Sequence, residues 1–410
     1  MKSRIILINN SCPFYGEPFL RTELDWIPND QSISVFPIML KKIMEKPQPI
    51  KDNIEVLQIA SVPKKVDYLR GAIYSLISLF KYREISAIFM RKQPFRNLLK
   101  AIKFVYLSES RVHAIARWLK QNHTNERFLF YSYWLYETAF VAARLSEIYS
   151  GSKFITRCHG YDLYEVRHVN GYLPYRKYLI ASADNIYPIS DNGKVYLEQL
   201  YGTHGNSKIA VMRLGTIRNQ QSVAKKSECI TLVSCSNLVK VKRVDRIIDA
   251  LAQFSRRSNW YHFGDGPLRR ELEIMAKRLP DNIEWHFCGS VPNNQIMKFY
   301  QDHYVDAFLN VSEFEGIPVS IMEALSFGIP VVATDIGGTH EIVIDHDNGI
   351  LLDSNFCTQQ LVRAIVELTE GSIEGVDNYR ARAKEVWEDM CNAEINYNLF
   401  YRKINEKVDL

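Results

Sequence analysis

The residues best suited to chemistry lie between Ser312 and Asp335, in the run Ser-Glu-Phe-Glu-Gly-Ile-Pro-Val-Ser-Ile-Met-Glu-Ala-Leu-Ser-Phe-Gly-Ile-Pro-Val-Val-Ala-Thr-Asp. Two carboxylates, Glu315 and Glu323, have seven residues between them. The pattern places Glu315 in a loop before a helix and Glu323 within that helix. Free backbone N–H groups at a helix start attract anions, and a helix following a buried parallel strand presents them at the sheet edge. An anion site with a carboxylate on each side suits a ligand bearing both phosphates and hydroxyls. A nucleotide sugar is such a ligand.

The elements that must position these groups are legible around them. Val305-Asp-Ala-Phe-Leu-Asn-Val311 reads as a strand buried on both faces. Pro318 can occupy the first helical position, where its missing N–H costs nothing. Gly328 suits the helix C-cap, and residues 329–333 return to a β-rich run.

On these residues the chain resembles the family-4 retaining glycosyltransferases of the GT-B fold. The matching segments are Glu-Gly-Ile-Pro-Val-Ser at 315–320 and Ile-Pro-Val-Val-Ala-Thr-Asp-Ile-Gly-Gly-Thr-His-Glu-Ile-Val at 329–343. The resemblance implies that Glu323 binds the ribose hydroxyls of a nucleoside diphosphate sugar and Glu315 the transferred sugar. Backbone groups of Gly316, Ile317, Val319 and Ser320 would meet the diphosphate. It also implies retention of anomeric configuration and a place in bacterial surface-polysaccharide assembly.

Four further segments carry chemistry. Ser236-Asn-Leu-Val-Lys-Val-Lys-Arg243 follows a strand and precedes a helix. The family holds the donor diphosphate here with an arginine and a lysine. Lys242 matches the lysine, Asn237 stands at the arginine, and Arg243 replaces a glycine. An asparagine cannot grip phosphate in bidentate fashion, so Arg243 is the candidate for the missing charge. Phe263-Gly-Asp-Gly266 is a tight turn, and Phe287-Cys-Gly-Ser-Val291 is its counterpart on the next strand, with Gly289 and Val291 expected near the nucleotide base. In the first half, Thr156-Arg-Cys-His-Gly-Tyr-Asp162 supplies His159 and Asp162. Ser11-Cys-Pro-Phe-Tyr-Gly-Glu-Pro18 supplies Gly16 and Glu17, on the side expected to take the acceptor. The family's Gly-rich loop is reduced here to one glycine. Glu315, His159 and Lys242 are the expected catalytic residues.

The fourth segment is basic. Lys81, Arg83, Arg91, Lys92, Arg96, Lys100, Lys103, Arg111, Arg117 and Lys120 are interleaved with aromatic and aliphatic residues and face only Glu84 and Glu109. Such a composition predicts a surface helix on anionic lipid, at the inner face of the cytoplasmic membrane. No nucleic-acid motif accompanies it, so no nucleic-acid partner is expected. Asp345-His-Asp347 has the spacing of a metal-binding pair but precedes Asn348-Gly349, so it reads as a turn. No metal or other cofactor is expected beyond the nucleotide-sugar co-substrate.

Length and composition frame these sites. With 410 residues, two domains are the default. Hydrophobic content of 47% and a net charge of +5 are those of a globular protein without a polyanion-binding bias. Seven scattered cysteines lack metal-like spacing and read as free thiols. The N-terminal apolar run is too short for a signal peptide, and Gly71–Phe80 is too short to span a bilayer. The expected fold is α/β, with two Rossmann-like doubly wound domains facing a central cleft. Residues 1–215 would bind the acceptor and 216–385 the nucleotide sugar, with a linker at 217–228. A terminal helix over 386–410 would cross back to the first domain. A sugar-nucleotide 2-epimerase of similar architecture and a non-catalytic nucleotide-sugar-binding component of an assembly complex remain alternatives. A nicotinamide-dependent oxidoreductase would need a Gly-x-Gly-x-x-Gly after a first strand, which neither half has.

Overall fold

The computed structural model describes residues 3–14, 16–39, 47–58, 62–123, 126–202, 207–217, 225–371 and 373–408. The chain divides into two units, one of Met1–Met212 with Tyr397–Leu410 and one of Arg213–Asn396. The sequence reading drew these divisions at 215 and 385. Most of its linker, at 218–224, lies outside the described residues.

The first unit contains β1 (Ser3–Asn9), α1 (Pro18–Leu24), β2 (Ile33–Pro37), β3 (Ile54–Val56), α2 (Lys65–Lys81), α3 (Glu84–Phe89) and α4 (Pro94–Asn122). It continues with β4 (Arg127–Ser132), α5 (Glu137–Ile148), β5 (Lys153–Cys158), α6 (Arg176–Ser182), β6 (Asn185–Pro188) and α7 (Asp191–Tyr201). Its sheet runs β3-β2-β1-β4-β5-β6, with every pairing parallel. Strand order reverses between β1 and β4, so the loops after β1, β4 and β5 gather at one stretch of the carboxyl edge. The run Ile5–Ile8 is buried throughout, as a central parallel strand must be.

The second unit contains β7 (Ile230–Cys235), α8 (Val244–Leu251), β8 (Ser258–Phe263), α9 (Arg269–Ala276), β9 (Ile283–Gly289), α10 (Asn293–Asp302), β10 (Ala307–Asn310), α11 (Val319–Ser326), β11 (Val331–Thr334) and β12 (Gly349–Leu352). α12 (Thr358–Glu370) and α13 (Ile373–Val386) follow, and α14 (Ala393–Val408) ends the chain. The parallel sheet runs β12-β11-β10-β7-β8-β9 and reverses between β10 and β7. Trp260, Leu232, Leu309, Val332 and Leu361 lie in its core. Gly215 is required at its position, because a Cβ there would fall 2.3 Å from the Cα of Ala393. All seven cysteines are unpaired.

The basic stretch forms no single lipid-facing helix. It is divided among the end of α2, α3 and α4, and much of α4 is buried. Several of its cations turn to partners in the protein. Lys100 donates to the carbonyl of Tyr172 and Arg111 to that of Ile38, each at 2.7 Å. Arg117 pairs with Asp67 at 2.6 Å, Arg91 with Glu165 at 2.8 Å and Lys81 with Glu147 at 3.1 Å.

The segment Tyr397–Leu410 is anchored to the first unit by a buried charge. Arg157 on β5 is fully buried and pairs with the buried Glu23 of α1 at 3.0 Å. Its guanidinium lies 3.9 Å from the ring centroid of Phe400, and Tyr131 donates to Glu23 at 2.8 Å. Phe400 therefore both fills volume and covers a cation. Phe400→Ala is expected to lower the unfolding free energy by about 3–5 kcal/mol, the range for truncating a buried aromatic. Urea denaturation of the two proteins measures it.

Candidate active site

The paired glutamates and the basic loop meet at the carboxyl edge of the second sheet. β10 ends at Asn310, and residues 311–318 lead to α11, with Pro318 at its N-cap and not at the first helical position expected. The loop after β7 passes beside it, because the N–H of Glu313 donates to the carbonyl of Val241 at 2.7 Å. This cross-link sets the Lys242 ammonium against the Glu315 carboxylate, and the two are hydrogen-bonded. Gly337 makes the contact possible from the other side. It has a φ of +55°, and a Cβ there would come within 2.1 Å of the carbonyl of Glu315. The N–H of Gly338 donates to the carbonyl of Gly316 at 2.7 Å.

Gly316, Val319 and Ser320 are half-buried at the start of α11. Ile317 puts its side chain in the core. Glu323, in the second turn, accepts a hydrogen bond from Asn293 at 2.7 Å. Burial pushes the Glu323 carboxyl up to about 7, and the Asn293 amide partly offsets this. Asn293 was missed in the sequence. Its only signal was a place at a helix start directly after Pro292.

The nearby turn is structural. A Cβ on Gly264, where φ is +135°, would lie 1.9 Å from the carbonyl of Ser236, and one on Gly266 would lie 2.5 Å from that of Leu238. These glycines let the turn press against the Asn237 loop and fix its course. Asn237 is itself exposed. Gly289, with a φ of +74°, ends β9, and Val291 follows half-buried.

Arg243 has partners within the protein that the sequence did not suggest. Its guanidinium donates to the carbonyls of Val311 and Ser354, each at 2.7 Å, and of Ser312 at 3.3 Å. It ties the loops after β7 and β10 together. The Asp345–Asp347 segment is a turn whose carboxylates are engaged. Asp345 accepts from the N–H of Leu351 at 2.8 Å, and Asp347 pairs with Arg382 at 2.9 Å.

At the carboxyl edge of the first sheet, Gly16 has a φ of +60° and is exposed. Glu17 is buried and fully occupied. Its carboxylate accepts from the N–H groups of Ser11 at 2.7 Å and Cys12 at 2.8 Å, and from the Trp134 indole at 2.5 Å. Asp162 is likewise buried, accepting from the N–H groups of Leu135 at 2.7 Å and His159 at 2.8 Å. Burial opposes its ionisation, but these bonds and the His159 side chain hold the carboxyl below its usual range. Both residues hold loops through these bonds. His159 differs. Its buried ring sits among Trp134, Tyr133 and Phe19, with centroids at 4.4, 4.9 and 5.6 Å. Neither ring nitrogen has a hydrogen-bond partner among the described residues, and Nδ1 stands 3.8 Å from Asp162. The aromatic surround was not foreseen, although Tyr133-Trp134 directly after a buried strand was a usable signal.

Residues 216–386 match the family model described as Glycosyl transferases group 1. This segment is a group 1 glycosyltransferase domain. The glycosyltransferase domain carries every residue of the Lys242, Glu315 and Glu323 arrangement. Over 274 residues the chain is 29% identical to WcaL of Salmonella typhimurium, a protein named for colanic acid biosynthesis, covering 63% of this chain and 66% of that protein. It is 30% identical over 229 residues to WcaL of Escherichia coli, covering 52% and 55%. The chain thus spans between about half and two thirds of these relatives' length. The solved structure of the lipopolysaccharide outer core galactosyltransferase WaaB matches with a TM-score of 0.67 at 16% identity, covering 98% of this chain and 99% of that one. Anabaena Alr3699/HepE, solved with UDP, matches with a TM-score of 0.67 at 16% identity, covering 98% and 100%. Sucrose-phosphate synthase from Thermosynechococcus elongatus gives 0.74 at 14%, again covering 98% and 100%. At these identities the likeness establishes the fold, which is GT-B.

The Glu323 environment makes a prediction independent of any reaction. The native chain holds this proton more tightly than the unfolded chain, whose carboxyl titrates near 4.5. The group's contribution to stability is therefore fully present below about pH 4.5 and is lost as pH rises through about 7. Carbon-detected NMR should show a Glu323 carboxyl titrating near 7. Asn293→Ala should move that midpoint upward, because it removes a donor to the charged form.

Proposed function

We propose that this chain transfers a sugar from a nucleoside diphosphate sugar, UDP-linked, to a lipid-linked or oligosaccharide acceptor, with retention of anomeric configuration, in cell-surface polysaccharide biosynthesis. The observation that carries the reading is the Lys242–Glu315 pair beside the first turn of α11, with Glu323 one helical turn further on. Relatives named for colanic acid biosynthesis and a neighbour solved with UDP-glucose support the substrate class.

The chemistry follows from what each group can do. The bond that breaks joins the anomeric carbon to a diphosphate oxygen, and negative charge grows on that oxygen as it leaves. Lys242 and the N–H groups of Gly316, Ile317, Val319 and Ser320 oppose that charge from fixed positions. Glu315 is paired with Lys242. An arriving diphosphate takes over that ammonium and frees Glu315 to accept hydroxyls of the transferred sugar. Glu323, once ionised, accepts from the ribose hydroxyls. The acceptor hydroxyl adds to the anomeric carbon, and its proton leaves with the diphosphate. The His159 ring lies in an aromatic pocket with Nδ1 beside Asp162 and Nε2 without a hydrogen-bond partner among the described residues, which suits a group that orients sugar hydroxyls.

A thermal-shift panel of UDP, GDP, ADP and their sugars tests donor binding. A nucleotide at a hundred times its dissociation constant adds about 2.7 kcal/mol. UDP and its sugars should give the shift, and Glu323→Ala and Lys242→Ala should lose it. Lys242→Ala should lower kcat by roughly 10²–10³. A product of inverted configuration by NMR would refute retention. Conversion of the donor with no acceptor present would favour the epimerase.

A further inference from the structure

α2 is amphipathic in the reverse sense to a helix that packs on a core. Its inward side carries Asp67, Gly71, Ser75 and Ser78, with Leu79 the one large apolar residue among them, all buried. Asp67 binds Arg117 of α4, and the Ser78 hydroxyl lies 2.8 Å from that of Tyr175. Gly71 lets the helices approach closely, since a Cβ there would fall 2.4 Å from the Ser110 hydroxyl and 2.5 Å from the carbonyl of Tyr106. The outward side carries Leu69, Ile73, Leu76, Ile77 and Phe80 at helical spacing, all exposed. Phe80 keeps 73% of its surface in contact with solvent. At the turn between α3 and α4, Phe89, Met90 and Phe95 are also exposed, with Met90 at 77% and Phe95 at 74%.

Charge decides what covers this surface. Between residues 62 and 107 the acidic side chains are Asp67 and Glu84, and both are buried. Lys64, Lys65, Arg70, Arg83, Lys92, Arg96 and Lys103 are exposed over the same span. A second copy docked symmetrically would set this cationic surface against itself. A surface of anionic headgroups over acyl chains matches both the cations and the apolar residues. At about 1.5 Å per residue α2 is shorter than a bilayer's hydrocarbon core. No helix among the described residues is long and apolar enough to cross a membrane.

We infer that the outward face of α2, with the α3–α4 turn, lies in the headgroup region of an anionic lipid leaflet and inserts its apolar side chains there. This differs from the sequence expectation, which gave the contact to the cations of 81–120. The inference stands apart from the transfer reaction. Vesicle binding is measured without donor or acceptor, so failure of either reading leaves the other separately tested.

The test is flotation of the full chain with vesicles of phosphatidylcholine and phosphatidylglycerol, beside vesicles of phosphatidylcholine alone. The native chain should float with the anionic vesicles. The variant Ile73→Ser, Ile77→Ser, Phe80→Ser should partition roughly a hundredfold less. These side chains are exposed, so urea denaturation should find the variant's fold intact. Arg70→Gln with Arg83→Gln should weaken binding less, and mainly at low salt. Equal flotation of the Ser variant, or no flotation of the native chain, would overturn the inference. A dimer by light scattering that the Ser variant converts to a monomer, without vesicle binding, would overturn it in favour of a second copy.

Discussion

Both sheets are parallel and covered on both faces, and that constraint decides where polar chemistry can sit. A strand such as Ile5–Ile8 or Val331–Thr334 has no wet side, so a charge placed in its middle must be satisfied from within. Arg157 is the exception that shows the cost. To stand on β5 it needs Glu23 beside it, a hydrogen bond to the carbonyl of Met212 at 2.7 Å and the Phe400 ring against it. Groups that must meet a ligand are therefore pushed to the carboxyl edges, where strand order reverses and neighbouring loops part. Lys242 and Glu315 follow β7 and β10, the pair at the reversal in the second sheet.

The loops that carry these groups are fixed by close approach of backbone to backbone. Gly264 and Gly266 press on residues 236–238, and Gly337 presses on Glu315. Arg243 binds three carbonyls across two loops, a task for a planar guanidinium with several donors. Its own backbone is left-handed, with a φ of +47° at the N-cap of α8. A glycine would take that conformation without strain but would leave the carbonyls of Val311, Ser312 and Ser354 without these donors.

The second sheet and its site were largely legible in the sequence because their signals are local. Glu315, Gly316, Pro318, Glu323 and Gly328 lie within one strand–loop–helix unit, so spacing along the chain translates directly into spacing in the fold. The first unit was less legible. β2 and β3 were not identified, since Ile33–Pro37 ends in a proline and Ile54–Val56 is three residues long. The stretch 81–120 was read by its charge. Whether a lysine faces water or the carbonyl of Tyr172, as Lys100 does, depends on residues far along the chain. The apolar residues of α2 were visible, but nothing in a hydropathy pattern states which side of a helix faces in. That followed only from Gly71, Ser75 and Ser78 being the surface that α4 can approach.

Carboxylates separate into two kinds across the molecule, and hydrogen-bond capacity separates them better than position does. Glu17 and Asp162 sit at the carboxyl edge of the first sheet, where a ligand would be expected, yet each already binds two backbone N–H groups. Such carboxylates fix loops. Glu315 and Glu323 each receive one side-chain donor, Lys242 and Asn293 respectively. A carboxylate has room for about four donors, so each keeps acceptor capacity. The consequence for Glu323 is a proton held to about pH 7. One amide does not compensate for its burial, whereas two ribose hydroxyls together with that amide would favour the charged form. On the proposed reading, ligand binding and deprotonation at Glu323 are coupled, because burial raises its pKa and the Asn293 amide alone opposes that rise.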